Sequence, residues 1–428
     1  MFKSIISLLL FLPFALLHFS CKDAAINNYY QGDTAQDSSN RNAYNNIHSV
    51  SNNPQSIITY SDLQYFARGT VMTLRVNRND FEVWEVNVVF DALYKEGPER
   101  LILCHSYSNF PVGAGDSGSP LLTSDGRIAG ILCYGYYGNS NNFIARAIED
   151  VISIDVNSAS SSSTSTLFDA IQPVYIVSGF NAQAASRYPE LGNVLGKAII
   201  RSDNPFTKGM KISKSAGNLA IPGSSIAVMF ITGDYVNEIA IGTMSYLSNE
   251  NVFAFGHNYQ SFLAAPTYLA STKSFITSIE ESFKMSEPSN ELIGSFVKDD
   301  FNGIVIKKNV VPLIADVNTD CSIEGKSTFS YHHQISNTPS FNYDMSLAAN
   351  LSCYLLYQEI ASRNKSADSV FATCNLQIAT DQETKYKTFV LHNYNIDWEI
   401  YYYIEDSVQM AKSNKELKIF NLSVDLKY

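Results

Sequence analysis

Positive charge is scarce in this sequence, and the scarcity excludes one broad class of function. The 428 residues include 30 Lys and Arg against 41 Asp and Glu, which gives a formal net charge of −11. Proteins that bind nucleic acid need a basic surface, so we expect no nucleic-acid partner. Charged residues make up 17% and hydrophobic residues 45%, a composition that can bury a core and excludes an intrinsically disordered chain.

The common metal-binding and nucleotide-binding motifs are also missing. The sequence contains no HExxH, no P-loop, no GxGxxG after a strand and no EF-hand loop. Its six cysteines show neither CxxC nor zinc-knuckle spacing. Several of them lie in apolar runs such as Ile131–Cys133, which predicts buried thiols that pack as small hydrophobic groups. We therefore expect no metal and no organic cofactor.

Long hydrophobic runs are absent after the first twenty residues. Near the N-terminus, Lys3 precedes an apolar stretch of 13 residues, Ile5–Leu17, which is too short to span a bilayer and is typical of a signal peptide. Ser20 directly precedes Cys21, as in a bacterial lipoprotein processing site. We therefore predict export and lipid attachment at Cys21, which would anchor the protein to an envelope membrane. Ordinary cleavage nearby, leaving Cys21 as a free thiol, is the alternative.

Aromatic residues are abundant, and most of the apolar spacing is that of strands. The chain has 26 Tyr and 25 Phe, which strand-rich folds favour. Apolar and polar residues alternate from Trp84 to Phe90, and Asp125-Gly126 between two apolar runs is a hairpin signal. Further apolar runs over Ile226–Thr232 and Ile239–Tyr246 predict more strands. The fold is therefore predicted to be mostly β.

Changes of composition along the chain predict its domains. A Ser- and Thr-rich run over 156–170 is predicted to be an exposed loop that joins two halves of a β-rich domain. In the last part of the chain, Leu347, Leu351 and Tyr354 fall on one helical face among strand patterns. The predicted organisation is a signal peptide over 1–20, a flexible Asn- and Ser-rich tether over 21–58, a β-rich domain over 59–310 with halves 59–155 and 171–310, and an α+β region over 311–428.

The strongest chemical signal is the segment Gly113–Pro120, which reads GAGDSGSP. A nucleophilic serine needs a tight turn that presents its Oγ, with backbone N–H groups converging where an oxyanion forms. Gly115 and Gly118 permit the backbone conformations that such a turn requires. Ser117 is therefore the candidate nucleophile, and an ordinary Gly/Ser turn is the alternative.

A nucleophilic serine also needs a base, and the chain has seven histidines. His105 lies shortly before the serine segment, and the adjacent His332 and His333 would point to opposite faces of a strand. His257 follows the apolar run Val252–Phe255 and a glycine, so it emerges at the end of a buried strand. A rigid strand end can hold a catalytic side chain in place, which makes His257 the favoured base.

Several short motifs together resemble the SpoIVB-type serine peptidase family (stage IV sporulation protein B and its relatives). A GTxxY…FGH pattern is present as Gly242-Thr243, Tyr246 and Phe255-Gly256-His257. An SGSP loop is present as Ser117–Pro120, followed by a glycine-containing strand over Gly126–Ile131. The other matching positions are Pro222–Ser224, Met244, Ala254, Ser282–Lys284, Gly294–Phe296, Asp299 and Gly303-Ile304.

This resemblance implies a trypsin-like double β-barrel peptidase, with the α+β region following it. It assigns Ser117 as nucleophile and His257 as general base, with the backbone N–H groups of Gly115 and Ser117, and of Asp116 as a further candidate, forming the oxyanion hole. In the sporulation peptidase the histidine segment precedes the serine segment, so this chain is expected to be circularly permuted. Asp116, the aspartate before the serine, resembles the aspartate at the same place in the digestive peptidases. There it holds the loop through an ion pair.

The third member of the triad is not evident. Ser106 stands where the family's acid would be expected, and Asn258-Tyr259 replaces the Pro-Phe that often follows the histidine. Asp299, in a predicted turn with Lys298 and Asp300, is the substitute we expect to orient His257. Asp300 is the neighbouring option, a surface acid without a catalytic role is another, and a Ser–His dyad would work at reduced rate.

The leading hypothesis is therefore an exported, lipid-anchored serine endopeptidase that cleaves a protein or peptide substrate through an acyl-enzyme. Under this hypothesis the protein is a hydrolase of the bacterial envelope. Its partners are the protein or peptide substrate and the membrane that holds the lipid anchor. The missing acid favours a rival, an inactive peptidase-like surface lipoprotein that binds or regulates an envelope protein. A peptidase that cleaves only itself is a third possibility.

Overall fold

The computed structural model describes most of the chain from residue 56 to residue 427. The predicted signal peptide, the predicted lipid site Cys21 and the predicted tether up to residue 55 lie outside the described residues, as does most of the predicted 156–170 loop. The described residues are 56–106, 112–136, 139–157, 169–170, 174–179, 184, 187–188, 191, 198–201, 221–258, 265–276, 282–336, 341–362, 370–393, 396–409 and 415–427.

Strands make up most of the described chain, and four helices accompany them. The helices are α1 (Tyr60–Leu63), α2 (Ile148–Ile152), α3 (Phe341–Ser362) and α4 (Ile396–Gln409). The strands are β1 (Val71–Asp80), β2 (Glu82–Glu96), β3 (Glu99–Ser106), β4 (Pro120–Leu122), β5 (Ile128–Tyr136), β6 (Asn139–Ala147), β7 (Asp169–Ala170), β8 (Val174–Ser178), β9 (Ala198–Arg201), β10 (Ser225–Gly233), β11 (Asn237–Leu247), β12 (Asn251–Ala254), β13 (Ala265–Ile276), β14 (Ser282–Asp300), β15 (Gly303–Lys308), β16 (Ile314–Ile323), β17 (Lys326–Ser336), β18 (Val370–Thr380), β19 (Thr384–Asn393) and β20 (Leu417–Lys427).

The first six strands form a closed barrel. Going around it, β1 pairs with β2, β2 with β3, β3 with β6, β6 with β5, β5 with β4, and β4 with β1. The alternation that predicted a strand places Val86, Val88 and Phe90 inside. The predicted Asp-Gly hairpin is confirmed, since Leu122 pairs with Ile128 across it.

Strands β10 to β15 form a second closed barrel with the same strand order. Here β10 pairs with β11, β11 with β12, β12 with β15, β15 with β14, β14 with β13, and β13 with β10. The chain thus builds two six-strand barrels in succession, which confirms the predicted double β-barrel. Closure leaves no unpaired sheet edge in either barrel, so each barrel buries its apolar faces independently.

The two barrels pack against each other through an apolar contact. Leu122 and Ile131 of the first barrel share a buried cluster with Phe253 and Val305 of the second. A short antiparallel pairing of β1 with β13, at Asn79 opposite Lys273, adds a second connection. The interface therefore lies beside the strand β4 that follows Ser117 and the strand β12 that precedes His257.

The last part of the chain forms a smaller α+β unit, as predicted. Its sheet has the order β17-β16-β20-β18-β19, in which β16 and β20 are parallel and the other pairs are antiparallel. Helix α3 packs on this sheet and buries Leu347, Leu351 and Tyr354, the residues whose spacing predicted it. Strand β17 also pairs with β10, which joins this unit to the second barrel.

Two further predictions concern the cysteines and the membrane. Five cysteines lie in the described part, and all five are buried thiols without a disulfide, as predicted: Cys104, Cys133, Cys321, Cys353 and Cys374. Burial raises the pKa of the Cys133 thiol to about 12, so it stays protonated and unreactive. None of the described helices is both long and apolar enough to cross a membrane.

Candidate active site

Ser117 and His257 occupy equivalent places in the two barrels. Ser117 lies in the connection between the third and fourth strands of the first barrel, and His257 lies in the corresponding connection of the second. Asp299 and Asp300 end the fifth strand of the second barrel, just before the turn into β15. Because the barrels share one strand order, Ser117 and His257 lie in equivalent connections. The strands on either side of each connection can fix the side chain in place.

The backbone around Ser117 requires glycine at position 118. Gly118 has φ +94°, in the region that L side chains rarely adopt, and its N–H donates to Leu132 O at 2.9 Å. A Cβ at this position would clash with Thr243 O and would lie 2.6 Å from Phe255 N. The turn that contains Ser117 can therefore form only with glycine after the serine.

The same contacts bring the serine segment against the histidine segment. Thr243 N donates to Ser117 O at 3.0 Å, and a Cβ at Gly256 would lie 2.7 Å from Leu132 O. Gly118 and Gly256 thus touch opposite barrels within one residue of Ser117 and His257. The structure places the two segments side by side, with backbone contacts that leave no room for extra atoms.

The geometry also explains why the GT…FGH pattern uses these residue types. Phe255 has φ +69°, a strained backbone for a bulky residue, and its ring is fully buried. The ring lies over Gly242, where any Cβ would clash with it. Gly242 therefore makes the space that holds Phe255, and Phe255 holds the bend from which His257 emerges.

A buried ion pair organises the other side of the serine turn. Lys284 Nζ lies 3.2 Å from Asp116 Oδ1, and both side chains are fully buried. Lys284 Nζ also donates to Thr243 Oγ1 at 2.8 Å, and Thr243 Oγ1 donates to Gly115 O at 2.9 Å. Asp116 Oδ2 accepts from Gly113 N at 3.0 Å. The second barrel thus supplies a cation that fixes the loop of the first.

Sequence reasoning matched Lys284 only as part of a motif and gave it no role. The expectation that Asp116 holds its loop through an ion pair needed a partner, and no nearby residue suggested one. A lysine between Phe283 and Met285 in the sequence was the available signal, since a buried lysine must be paired. The partner lies far along the chain, so only the fold could identify it.

Two backbone amides in the turn are available for an oxyanion. The Asp116 N–H, named as a further donor, donates to Gly113 O at 3.0 Å and is used within the loop. The amides of Gly115 and Ser117 make no backbone hydrogen bond in the part of the chain that the structure describes. An oxyanion hole needs donors that the fold itself does not use, and within the described residues these two amides meet that requirement.

The His257 side chain is oriented by a backbone carbonyl. Its Nδ1 lies 2.8 Å from Asn258 O. A carbonyl oxygen only accepts, so Nδ1 carries the proton and Nε2 keeps the lone pair in the neutral ring. This is the tautomer that a general base needs when Nε2 is to take a proton from serine.

Ser117 is closed off from solvent in this structure. Its side chain has 0% exposure, and His257 is 3% exposed. Among the described residues, Ser117 Oγ makes no hydrogen bond. A buried hydroxyl without a partner is costly for the fold. Reaction with a substrate requires that this hydroxyl becomes accessible.

Asp299 and Asp300 differ from the expected surface turn. Both belong to the end of strand β14 and are buried, and the turn begins only at Phe301. The segment abuts the histidine bend, since a Cβ at Gly303 would lie 3.4 Å from Gly256 N. Asp300 Oδ1 accepts from Asn302 N at 3.2 Å. The carboxylates therefore lie in the hairpin next to His257, in a drier environment than the sequence suggested.

His105 forms a second histidine–carboxylate pair. It lies on β3, with Nδ1 2.8 Å from Asp91 Oδ2 on the neighbouring β2, and both side chains are partly exposed. Its neighbours across the sheet are Val89 and Asn142. The serine turn contacts Thr243 and Phe255, which belong to the second barrel and lead to His257 rather than to His105.

Within the described ranges, no group of three or more His, Cys, Asp or Glu side chains is arranged to hold a metal ion. The chain matches no protein-family model, and no curated protein shows significant similarity to it. The double β-barrel is compatible with a trypsin-like peptidase.

Proposed function

We propose that this protein is a serine peptidase with Ser117 as nucleophile and His257 as general base. The observation that carries the proposal is the contact of the two segments at the interface between the barrels: Gly118 lies against Phe255, and Gly256 lies against Leu132 O. A serine and a histidine contributed by separate barrels can act together, because geometry rather than chain order defines such a catalytic pair. The permuted order of the two segments is therefore no obstacle.

The residues suggest the following reaction. Nε2 of His257 takes the Ser117 Oγ proton while Oγ attacks the carbonyl carbon of a peptide bond. The negative charge that develops on the carbonyl oxygen is stabilised by the amides of Gly115 and Ser117. The imidazolium gives its proton to the leaving amine, which leaves an acyl-enzyme. Water, deprotonated by His257, then hydrolyses the ester and restores Ser117.

Asp299 and Asp300 are the candidate acids for this reaction. A carboxylate near the imidazolium stabilises the charge that forms during proton transfer. Both lie in the hairpin that abuts the histidine bend, although Asn258 O is the partner seen at Nδ1. In the proposal Asp299 remains the third member, and the dyad assisted by Asn258 O is the alternative.

The proposal also includes location and substrate class. A leader with an apolar stretch and Cys21 favours export and a lipid anchor, which would hold the peptidase at an envelope membrane. The substrate would then be a protein or peptide that reaches the same membrane face.

A second candidate function has its own supporting observation. Ser117 and His257 are almost completely buried, so no substrate reaches them in this arrangement. That closure favours a peptidase-like lipoprotein that binds or regulates an envelope partner without cleaving it. Whether Ser117 is chemically reactive separates the two functions.

The test is reaction of the purified full-length protein with a fluorophosphonate probe. We expect labelling that is lost in Ser117→Ala and in His257→Ala. Ser119→Ala is the matched control, because Ser119 lies in the same turn and is equally buried, and it should retain labelling. A folded wild-type protein that does not react would contradict the peptidase proposal and favour the binding lipoprotein.

A further inference from the structure

Arg146 is the largest charged side chain that the described structure buries completely. It lies on β6 of the first barrel, and its side chain has 0% exposure. Burying a guanidinium is costly unless its donors are satisfied, and an apolar side chain of similar size often stabilises a fold at least as well. The position of Arg146 therefore calls for an explanation beyond stability.

The guanidinium reaches across the interface to the second barrel. Its Nη1 donates to Gly256 O at 3.0 Å and to Phe301 O at 2.7 Å. The guanidinium carbon Cζ also lies over the Phe301 ring, 4.3 Å from the ring centroid. Gly256 directly precedes His257, and Phe301 directly follows Asp300. One nitrogen thus joins the backbone of the histidine bend to the backbone of the acidic hairpin.

The other end of the guanidinium is held inside the first barrel. Nη2 donates to the Glu99 carboxylate and, at 2.8 Å, to Tyr134 Oη. Tyr134 in turn donates to Glu99 at 2.8 Å. Burial raises the pKa of Tyr134, so it remains a phenol that can donate and accept at once. Glu99 and Tyr134 therefore fix the direction of the fork.

We propose that Arg146 is a positioning residue that holds His257 and the Asp299-Asp300 hairpin in register with Ser117. The inference rests on the proposed peptidase function. It assigns Arg146 no contact with substrate: it acts through the carbonyls of Gly256 and Phe301. A planar guanidinium can hold two carbonyls and a carboxylate in fixed directions, whereas a lysine ammonium on a flexible stem cannot.

Two variants separate the loss of the Arg146 charge from the loss of its hydrogen bonds to the second barrel. Arg146→Met alone would leave Glu99 buried and unpaired, which can unfold the barrel. The double variant Arg146→Met/Glu99→Gln removes both charges and leaves Tyr134 an acceptor. Arg146→Lys keeps the charge and removes the fork. The control is Arg75→Met/Glu85→Gln, since Arg75 is a buried arginine in the same barrel, paired with Glu85 at 2.9 Å.

The first readout is the rate of fluorophosphonate labelling as a function of pH. A displacement of the catalytic segments by about 1 Å lowers the rate on the order of 100-fold, so we expect a drop of that size in the neutral double variant. Arg146→Lys should be intermediate, and the Arg75/Glu85 control should react like wild type. Wild-type rates and pH profile in a folded double variant would overturn the proposal.

The second readout does not depend on activity. Histidine labelled with ¹³C at Cε1 gives one NMR signal per ring, and His257→Gln identifies the signal of His257. We expect its titration to shift in Arg146→Lys and in the double variant, and to stay unchanged in the control. If wild type does not label but this shift is seen, the peptidase proposal fails and the positioning role stands. An unchanged His257 titration in both Arg146 variants would overturn the positioning role.

Discussion

At the scale of single residues, the candidate site depends on contacts that tolerate no added atom. Gly118 faces Thr243 O and Phe255 N, Gly256 faces Leu132 O, and Gly242 faces the Phe255 ring. These three glycines make the space in which the serine turn and the histidine bend approach each other. The local chemistry of the site is therefore set by small residues as much as by Ser117 and His257.

Gly118→Ala tests this close approach, with Gly126→Ala as its control. Both glycines have positive φ, +94° and +82°, but a Cβ at Gly126 meets nothing within 4 Å. Gly126→Ala should cost about 1 kcal/mol, the backbone penalty alone. Gly118→Ala should cost more and abolish probe labelling, because Thr243 O must move. Chemical denaturation measures the free energy of unfolding of both variants. Equal losses of stability in the two variants would contradict the proposed close approach at Gly118.

The Asp116–Lys284 pair gives a second prediction at this scale. Removing one partner of a buried ion pair costs about 3–5 kcal/mol, so Asp116→Asn and Lys284→Met should each be strongly destabilising. The double variant should lose less than the sum, because neither charge is left alone. The exposed Asp125–Arg127 pair is the control and should show no measurable coupling. Additive losses at Asp116 and Lys284 would contradict the proposed interaction.

At the scale of elements, local sequence patterns predicted the strands well. Contacts between residues far apart in the chain could not be predicted from those patterns. Alternation predicted β2, the Asp-Gly pair predicted the hairpin at Asp125-Gly126, and apolar runs predicted the strands before His257. The structure confirms all of them. Sequence reasoning missed that Asp299 and Asp300 belong to a buried strand end, because two adjacent acids in a strand read as a turn. It also missed Lys284 and Arg146, each of which has partners in the opposite barrel.

His333 gives a prediction for the junction of β17 with the second barrel. Its Nε2 accepts from Tyr235 N at 3.3 Å and Val236 N at 3.0 Å, so the ring must be neutral there. Burial lowers the pKa of His333 to about 4, with Asp234 opposing that shift and His332 adding to it.

The lowered pKa of His333 determines how the stability of the fold changes with pH. The unfolded chain binds a proton at this residue near pH 6.5, whereas the folded chain does not until about pH 4. The stabilisation by neutral His333 is thus present above pH 6.5 and is lost as the pH falls towards 4. His333→Gln should flatten this part of the stability curve. The exposed neighbour His332→Gln is the control, and identical curves for both variants would contradict the assignment.

At the scale of the whole molecule, two barrels with the same strand order bring the Ser117 segment and the His257 segment together. The double barrel was expected from motifs, and the fold confirms it. Chain order alone could not show that the serine and histidine segments meet, because that contact depends on how Leu122 and Ile131 pack against Phe253 and Val305. The buried cations Arg146 and Lys284 cross this interface in opposite directions, each towards the other barrel's candidate loop.

The most direct test of this account is to map the residue that a fluorophosphonate probe modifies, by peptide mass spectrometry of the full-length protein. The account predicts a single adduct on Ser117, which is lost in His257→Gln and retained in His105→Gln. An adduct on another serine, or a Ser117 adduct that forms at the wild-type rate without His257, would contradict the central claim that the two barrels jointly activate Ser117.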